Sequence, residues 1–318
     1  MGGKGGSAAA AINMTGGHKV YVDATAHGGE GGTGARAGDA TASAAGAGEF
    51  VTVSSSADTY GGTGSSGTAT ATATGDGLSG SAESDAEIFS TGLVSTLLLR
   101  AAAGVSGHAA TEATAATGGA PPSFTTAYQA VATGEGAPSR ASVQAALAND
   151  PGITAAFGAH PSYFALAELG GRHGGTQPWE QIAISSIDMA VNLNQLPVLQ
   201  HLIVGAYRIS MSDGAGVTDV SIKVTENGNV LFDQDLGNGR HAKAYLQDHA
   251  FDLGQLPNVA MAEINVELDV TTTSADSSFF AGFVIGDPPP LDPAHAAPGP
   301  VGAPELGVAP SAHHDWVL

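Results

Sequence analysis

Residues 18–119 constrain the fold more than any other part of the chain, because they alternate. VYVDATAHGGEGGTG (20–34) is followed by DATASAAGAG (39–48), and FVTVSSSADTYGGTG (50–64) by TATATATGDG (68–77); GGTG recurs at 31–34 and 61–64. A two-residue period bounded by glycine clusters is a strand-and-turn signal. A spacing of about 30 residues between copies is that of a stacked repeat. A degenerate third copy is expected from GLVSTLLLRAAAG to ATEATAATGG (110–119). Both faces of these strands are small. Threonine is β-branched and favours the pleated backbone, but alanine contributes only about 0.8 kcal/mol per buried CH₂-sized group. An isolated hairpin of this composition would not hold, so stability has to come from stacked strands. The segment is expected to be an ordered β repeat, solenoid-like or of stacked hairpins, with Val20, Val22, Phe50, Val51 and Val53 at the strand starts.

The remainder is organised differently. Residues 1–17 are expected to be a flexible N-terminal segment, and 120–175 read as a small helical connector. Ser139 is placed to cap a helix over RASVQAALAN, Asp150-Pro151 stops it, and ITAAF offers a second short helix. Val143, Leu147, Ile153, Phe157, Phe164 and Leu166 are the expected apolar cluster there. From 176 to 287 the pattern is that of an antiparallel β-sandwich. Ile187, Met189, Val191 and Leu193 share one face, as do Ile264, Val266, Leu268 and Val270. Asn227-Gly228 marks a tight hairpin, and HAKAYLQDHAF reads as a short crossing helix. Residues 288–318 are a Pro/Ala-rich tail of extended, polyproline-like character. The fold class is therefore mainly β: a Gly/Ala/Thr-rich β repeat, a small helical connector and an antiparallel β-sandwich.

Thirty acidic residues against ten basic ones give a net charge of −20. That excludes nucleic acid as an expected partner, since such binding rests on Lys and Arg neutralising phosphates. It disfavours an anionic membrane surface equally. Cysteine is absent, so disulfide and thiolate chemistry are excluded. The N-terminus lacks the apolar run of a secretory signal. GLVSTLLLRAAAGV and LPVLQHLIVGAY are too short to span a bilayer, so no membrane insertion is expected.

No catalytic arrangement stands out. The eleven histidines are scattered, without HExxH or zinc-type spacing. His241 and His249 would sit roughly 80° apart on a straight helix. GGEGGTGAR and GGTGSSGT lack the aspartate of calcium-binding nonapeptides. No metal and no cofactor are expected. There is no GxSxG elbow, no P-loop and no obvious carboxylate pair. Exposed aromatic rings are what sugar binding needs, and Trp179, Tyr207 and Tyr245 are the candidate glycan contacts.

The chain ends in HHDWVL, an acidic residue followed by three apolar ones. This resembles the extreme C-terminal signal of proteins exported by bacterial type I (ABC-transporter) systems. The resemblance assigns Asp315 as the acidic residue and Trp316, Val317 and Leu318 as the apolar trio. The TATATATG repeats, the SVQAALANDPGITAAFG segment and the ENGNVLF…FDLGQL stretch together resemble Gly/Ala/Thr-repeat extracellular or surface proteins of proteobacteria. That similarity implies a location outside the cell and no catalytic site. The resulting expectation is a secreted, non-enzymatic structural protein of the bacterial surface or matrix. It would self-associate into filaments or sheets through strand edges, with the ABC-type secretion machinery as a second partner. The alternative is an adhesin or glycan-binding module that uses 176–287 to hold a polysaccharide.

Overall fold

Alternation commits each strand of the repeat to one inward and one outward face, and the inward faces need a second layer. The computed structural model describes residues 3–32, 35–61, 68–76, 79–90, 96–107, 111–117, 130–159, 161–173, 180–193, 201–212, 215–256 and 260–288. The repeat supplies both layers itself. Strands β1 (Ala8–Thr15), β3 (Ala40–Ala47) and β5 (Ala69–Asp76) lie parallel in one sheet, and β2 (Lys19–Gly28), β4 (Phe50–Gly61) and β6 (Ser79–Ser90) lie parallel in the other. Each pass crosses from layer to layer, so the crossover that parallel neighbours require is itself a strand of the facing sheet. Register follows the copies: Ala8 lies opposite Ala40 and Ala40 opposite Ala69, while Lys19 meets Phe50 and Phe50 meets Ser79.

Small residues let the layers close. Ala40, Ala42, Ala44, Ala69, Ala71 and Ala73 of one sheet are buried together with Val20, Val22, Val51, Val53 and Ala57 of the other. At Gly46 a β-carbon would stand 2.9 Å from Val51 Cγ1 and 3.0 Å from Val22 Cγ2, so the approach there is set by the missing side chain. Successive copies are also tied laterally. Asp39 accepts from the Thr68 backbone N–H at 2.9 Å and its hydroxyl at 3.0 Å, and pairs with Arg36 at 2.8 Å. These bonds hold the Asp39 carboxyl below the usual carboxylate range. The buried Ser55 and Ser84 hydroxyls are 3.2 Å apart between β4 and β6.

The parallel stack stops at β7 (Thr96–Gly107), which runs antiparallel to β6; β8 (Thr111–Thr117) likewise runs antiparallel to β5. The expected third copy therefore runs against the first two. Residues 91–95, between β6 and β7, are too few for the crossover that a parallel neighbour in the same sheet would need.

The sheets then continue without a break into the rest of the chain. β7 pairs with β11 (Gln181–Asn192), and β8 pairs with β9 (Ala130–Gly136), which leads through β10 (Ser162–Arg172) to β17 (Ser278–Asp287). The orders are β1-β3-β5-β8-β9-β10-β17-β12-β15 and β14-β13-β16-β11-β7-β6-β4-β2. Segment 120–175 thus contains two strands beside its helices, α1 (Arg140–Ala146) and α2 (Pro151–Phe157). β10 escapes a period-2 reading because both its faces are covered, which turns alternation into a continuous apolar run. Phe164, expected in the helical cluster, packs instead in the main core between the sheets.

The C-terminal strands are β12 (His201–Ser212), β13 (Val217–Glu226), β14 (Asn229–Asp235), β15 (His249–Gln255) and β16 (Met261–Thr272), all antiparallel to their neighbours. Both alternating sets, Ile187 to Leu193 and Ile264 to Val270, are buried. Asn227 (φ 48°) and Gly228 (φ 76°) make the β13–β14 turn, both in the left-handed region that a type I′ turn demands. Helix α3 (Gly239–Leu246) is shorter than HAKAYLQDHAF suggests, because Asp248 adopts φ 53° and the chain then enters β15.

A leucine at Gly46 would have to displace three valines of the facing layer. Gly46→Leu is expected to lower unfolding stability by about 1–3 kcal/mol, read as a shift of the urea midpoint at unchanged slope.

Candidate functional site

Both sheets end at the same two places, and the two ends are built differently. At one end the outermost strands are β1 and β2. The β2 backbone alternates in direction: the His18 carbonyl accepts from Phe50 N–H, so even-numbered residues bond inward to β4. Lys19, Tyr21, Asp23, Thr25 and His27 consequently turn their N–H and C=O groups to the free edge. On β1 the N–H groups of Ala8 and Gly16 reach Asp39 and Ala47, leaving Ala9, Ala11, Asn13 and Thr15 directed outward. Ile12 and Met14 lie opposite Ala44 and Gly46 in the row that faces the core, yet they are 38% and 46% exposed. Nothing among the described residues closes the core there. Tyr21, on the outer face of β2, is 65% exposed.

The opposite end is closed. β14 and β15 are its edge strands, and α3 joins them across the layers, sending Ala242 and Leu246 into the core. The Phe232 and Phe251 rings stand 4.9 Å apart, with His249 over Phe251 at 4.5 Å and Tyr245 over His249 at 5.1 Å. These edges also carry features that discourage pairing. The ladders of β14 and β15 are each interrupted by a register shift, and Asp233, Asp235 and Asp252 lie along them.

A third place gathers ionisable groups. Helices α1 and α2 cover the outer face of the nine-stranded sheet, packing Val143, Leu147, Ile153 and Phe157 against Leu166, Ile203, Tyr207 and Val284. Ser139 caps α1 by accepting from Ser142 N–H at 3.0 Å. The α2 N–H groups of Gly152 and Ile153 are capped from a distance, each donating to the Asp248 carboxylate at 3.0 Å. Beneath the helices lies Glu168, buried, with Arg208 Nη1 3.5 Å from Oε1. A bulge in β12 puts Arg208 at φ 49° directly after Tyr207, which is what brings two consecutive side chains near one carboxyl. Burial pushes Glu168 up to about 7 against the pull of Arg208, and burial raises Glu135 and Asp150 as well. Tyr207 is driven upward by burial and by Glu168, so its phenol stays protonated.

The residues expected to contact a glycan do not meet. Tyr207 is 1% exposed, and its ring lies so close over Gly282 that a β-carbon there would stand 2.6 Å from Cζ. That position offers no ring face to a sugar. Tyr245 is 39% exposed at the closed end. Trp179 and the tail residues Asp315, Trp316, Val317 and Leu318 lie outside the described residues. Sequence reasoning did not find Glu168, Arg208 and Asp248, since a bulge and a cap donated from a residue 95 or more positions away leave no local signal. Among the described residues no group of three or more His, Asp or Glu is placed to hold a metal ion. No helix among them is long and apolar enough to cross a membrane.

No family model matches the chain, and no curated protein matches it. A solved structure described as concerning "the carbohydrate-binding modules from the beta-sandwich super family" is similar over 59% of this chain and 73% of its own, at 9% identity and a TM-score of 0.20. A likeness at that TM-score carries no argument about what this chain binds.

Glu168 gives the fold a pH dependence. With its pKa raised from 4.5 to about 7, the folded chain keeps a proton that the unfolded chain has released between those values. The stability that proton contributes is complete below about 4.5 and is lost as pH rises through about 7. Asp269 and Asp287, pushed up to about 6 by burial, act in the same sense. The melting temperature is expected to fall between pH 5 and pH 8, and Glu168→Gln to flatten the upper part of that fall; an unchanged profile would remove Glu168 from the account.

Proposed function

We propose that this chain is a secreted, non-enzymatic structural protein that associates with copies of itself through strand edges. The observation that carries the reading is the open end of the β repeat. Two regular edge strands, one from each sheet, stand side by side there, and among the described residues no backbone hydrogen bond engages their outward N–H and C=O groups. Ile12 and Met14 remain uncovered between them. Stacked repeats ordinarily end in a polar cap, and an unprotected edge is a template for another strand. The Ala-, Ser- and Thr-rich copies favour a scaffold held by backbone ladders over one shaped around a ligand.

Export through an ABC-type machinery is the matching proposal for location, with Asp315, Trp316, Val317 and Leu318 as its address. A chain shortened to end at Ala312 is expected to stay inside the cell, while the full chain appears in the culture fluid. Material recovered there should sediment faster than a 31.3 kDa monomer and show assembled particles by negative-stain electron microscopy. A strictly monomeric chain at all concentrations would remove the self-association reading.

The glycan-binding reading keeps one favourable observation, the exposed Tyr245 ring stacked on His249 at an interplanar angle of 21°. Polysaccharide retention that is lost on Tyr245→Ala would favour it over the structural reading.

A further inference from the structure

We infer that the open end binds a second copy of this chain about a two-fold axis at Tyr21, pairing β2 antiparallel with β2 so that Lys19 of each copy faces the partner's Asp23. The inference deepens the edge-association reading and rests on it.

Three observations point to this arrangement. The first is which backbone groups are free. Antiparallel partners exchange both hydrogen bonds only between residues whose N–H and C=O groups face each other. On β2 these are the odd-numbered residues, Lys19, Tyr21, Asp23, Thr25 and His27. An axis at Tyr21 sets Tyr21 against its own copy and Lys19 against the partner's Asp23. These odd-numbered matches are the hydrogen-bonded pairs and use edge-directed groups, while Val20 and Val22 form the non-hydrogen-bonded pairs between them.

The second is charge. Lys19 and Asp23 are exposed on the same face of β2, and neither has an ion pair among the described residues. Four residues of strand place them about 13 Å apart, too far to pair within one copy. An antiparallel copy centred between them satisfies both charges twice over. Pairing of β2 with a partner's β1 would leave them unmatched, because the outward-directed β1 residues Ala9, Ala11, Asn13 and Thr15 are uncharged. The whole chain carries −20, which keeps copies apart, but residues 1–39 balance three basic residues (Lys4, Lys19, Arg36) against three acids (Asp23, Glu30, Asp39). Copies can meet at this end at the lowest repulsive cost.

The third is the uncovered core. A two-fold axis normal to the sheets that joins β2 to β2 also brings β1 to β1, since both strands end their sheets at the same end. The row containing Ile12 and Met14 then meets its own copy, and both sheets run on across the interface. The contact is isologous and closes on itself. The α3-plugged end, with its interrupted ladders and aspartates, takes no part, so the expected product is a dimer and not a filament.

The test uses the full chain and two charge changes. Sedimentation equilibrium of the wild type is expected to give a dimer. Lys19→Asp and Asp23→Lys each place like charges opposite one another at two symmetric positions, and each is expected to weaken the dimer about tenfold or more. The double variant, Lys19→Asp with Asp23→Lys, recreates the opposite pairs in reverse and should return the dissociation constant to within about threefold of wild type. Both positions are exposed, so far-ultraviolet circular dichroism should be the same for all four proteins. A dimer indifferent to the single changes, or singles that the double does not rescue, overturns this register while leaving edge association standing. Assembly that grows past the dimer with concentration overturns the closed arrangement alone. A wild-type monomer overturns both.

Discussion

Everything in this structure depends on how closely two sheets can approach when the side chains between them are nearly absent. Alanine rows facing valine rows bury little area per residue, so the repeat cannot be held by large apolar contacts as an ordinary sandwich is. It is held by ladders that run parallel and in register from copy to copy, each copy supplying one strand to each layer. That economy has a condition. Every layer must be continuous, because a strand of TATATAT without a neighbour on each side has too little else to keep it. The continuation of β7 into β11 and of β8 into β9 meets the condition at one side by joining the small-residue stack to a conventional core of Ile187, Met189, Val266, Leu268 and Phe283. The larger side chains anchor the stack, and the stack extends the sheet.

The outer face of the nine-stranded sheet shows the complementary strategy. There the two short helices are held by shape and by borrowed hydrogen bonds. Gly205 leaves room for Ile153, Gly282 leaves room for the Tyr207 ring, and Asp248 supplies the α2 cap that Asp150 does not make. Covering this face buries Glu168, Glu135 and Asp150, whose carboxyls are all raised. Arg208 offsets that burial for Glu168 only in part. An acidic chain that buries several acids whose carboxyls are raised gains stability as pH falls, in the same sense as the easing of its net negative charge.

What was legible in the sequence was whatever local chemistry decides. The alternation of Ile187 to Leu193 and of Ile264 to Val270, the Ser139 cap and the Asn227-Gly228 turn each follow from a few adjacent residues. Parallel or antiparallel pairing does not: TATATAT and ATEATAAT read alike, yet β5 lies parallel to β3 and β8 antiparallel to β5. Direction is set by the length of each connection and by which layer it reaches, and alternation is silent on both. β10 was hidden because its outer face is buried as thoroughly as its inner one. Tyr207 follows Ile203 and Gly205 by alternation onto the face that α2 covers, and the bulge after it adds Arg208 on the same side, which strand periodicity cannot register. The open end was also out of reach, because an edge is defined by the strand that is missing, and KVYVD looks the same in the middle of a sheet as at its margin.

The two ends of the sandwich make sense together. At the closed end, α3 and the Tyr245–His249–Phe251–Phe232 rings occupy the gap between the layers, and interrupted ladders with aspartates protect the edges. At the open end there is no bulge between β1 and β3 or between β2 and β4, no plug among the described residues, and the chain's acid excess is locally suspended. If the open end merely tolerated exposure, the same protections would be expected there, since an uncovered core and two regular edges are liabilities to any chain that must stay dispersed. Their absence at one end only, beside a lysine and an aspartate spaced for an antiparallel copy, is accounted for when that end is an interface. Two-fold closure then explains why a single protected end suffices: joining the open ends leaves only closed ends facing solvent.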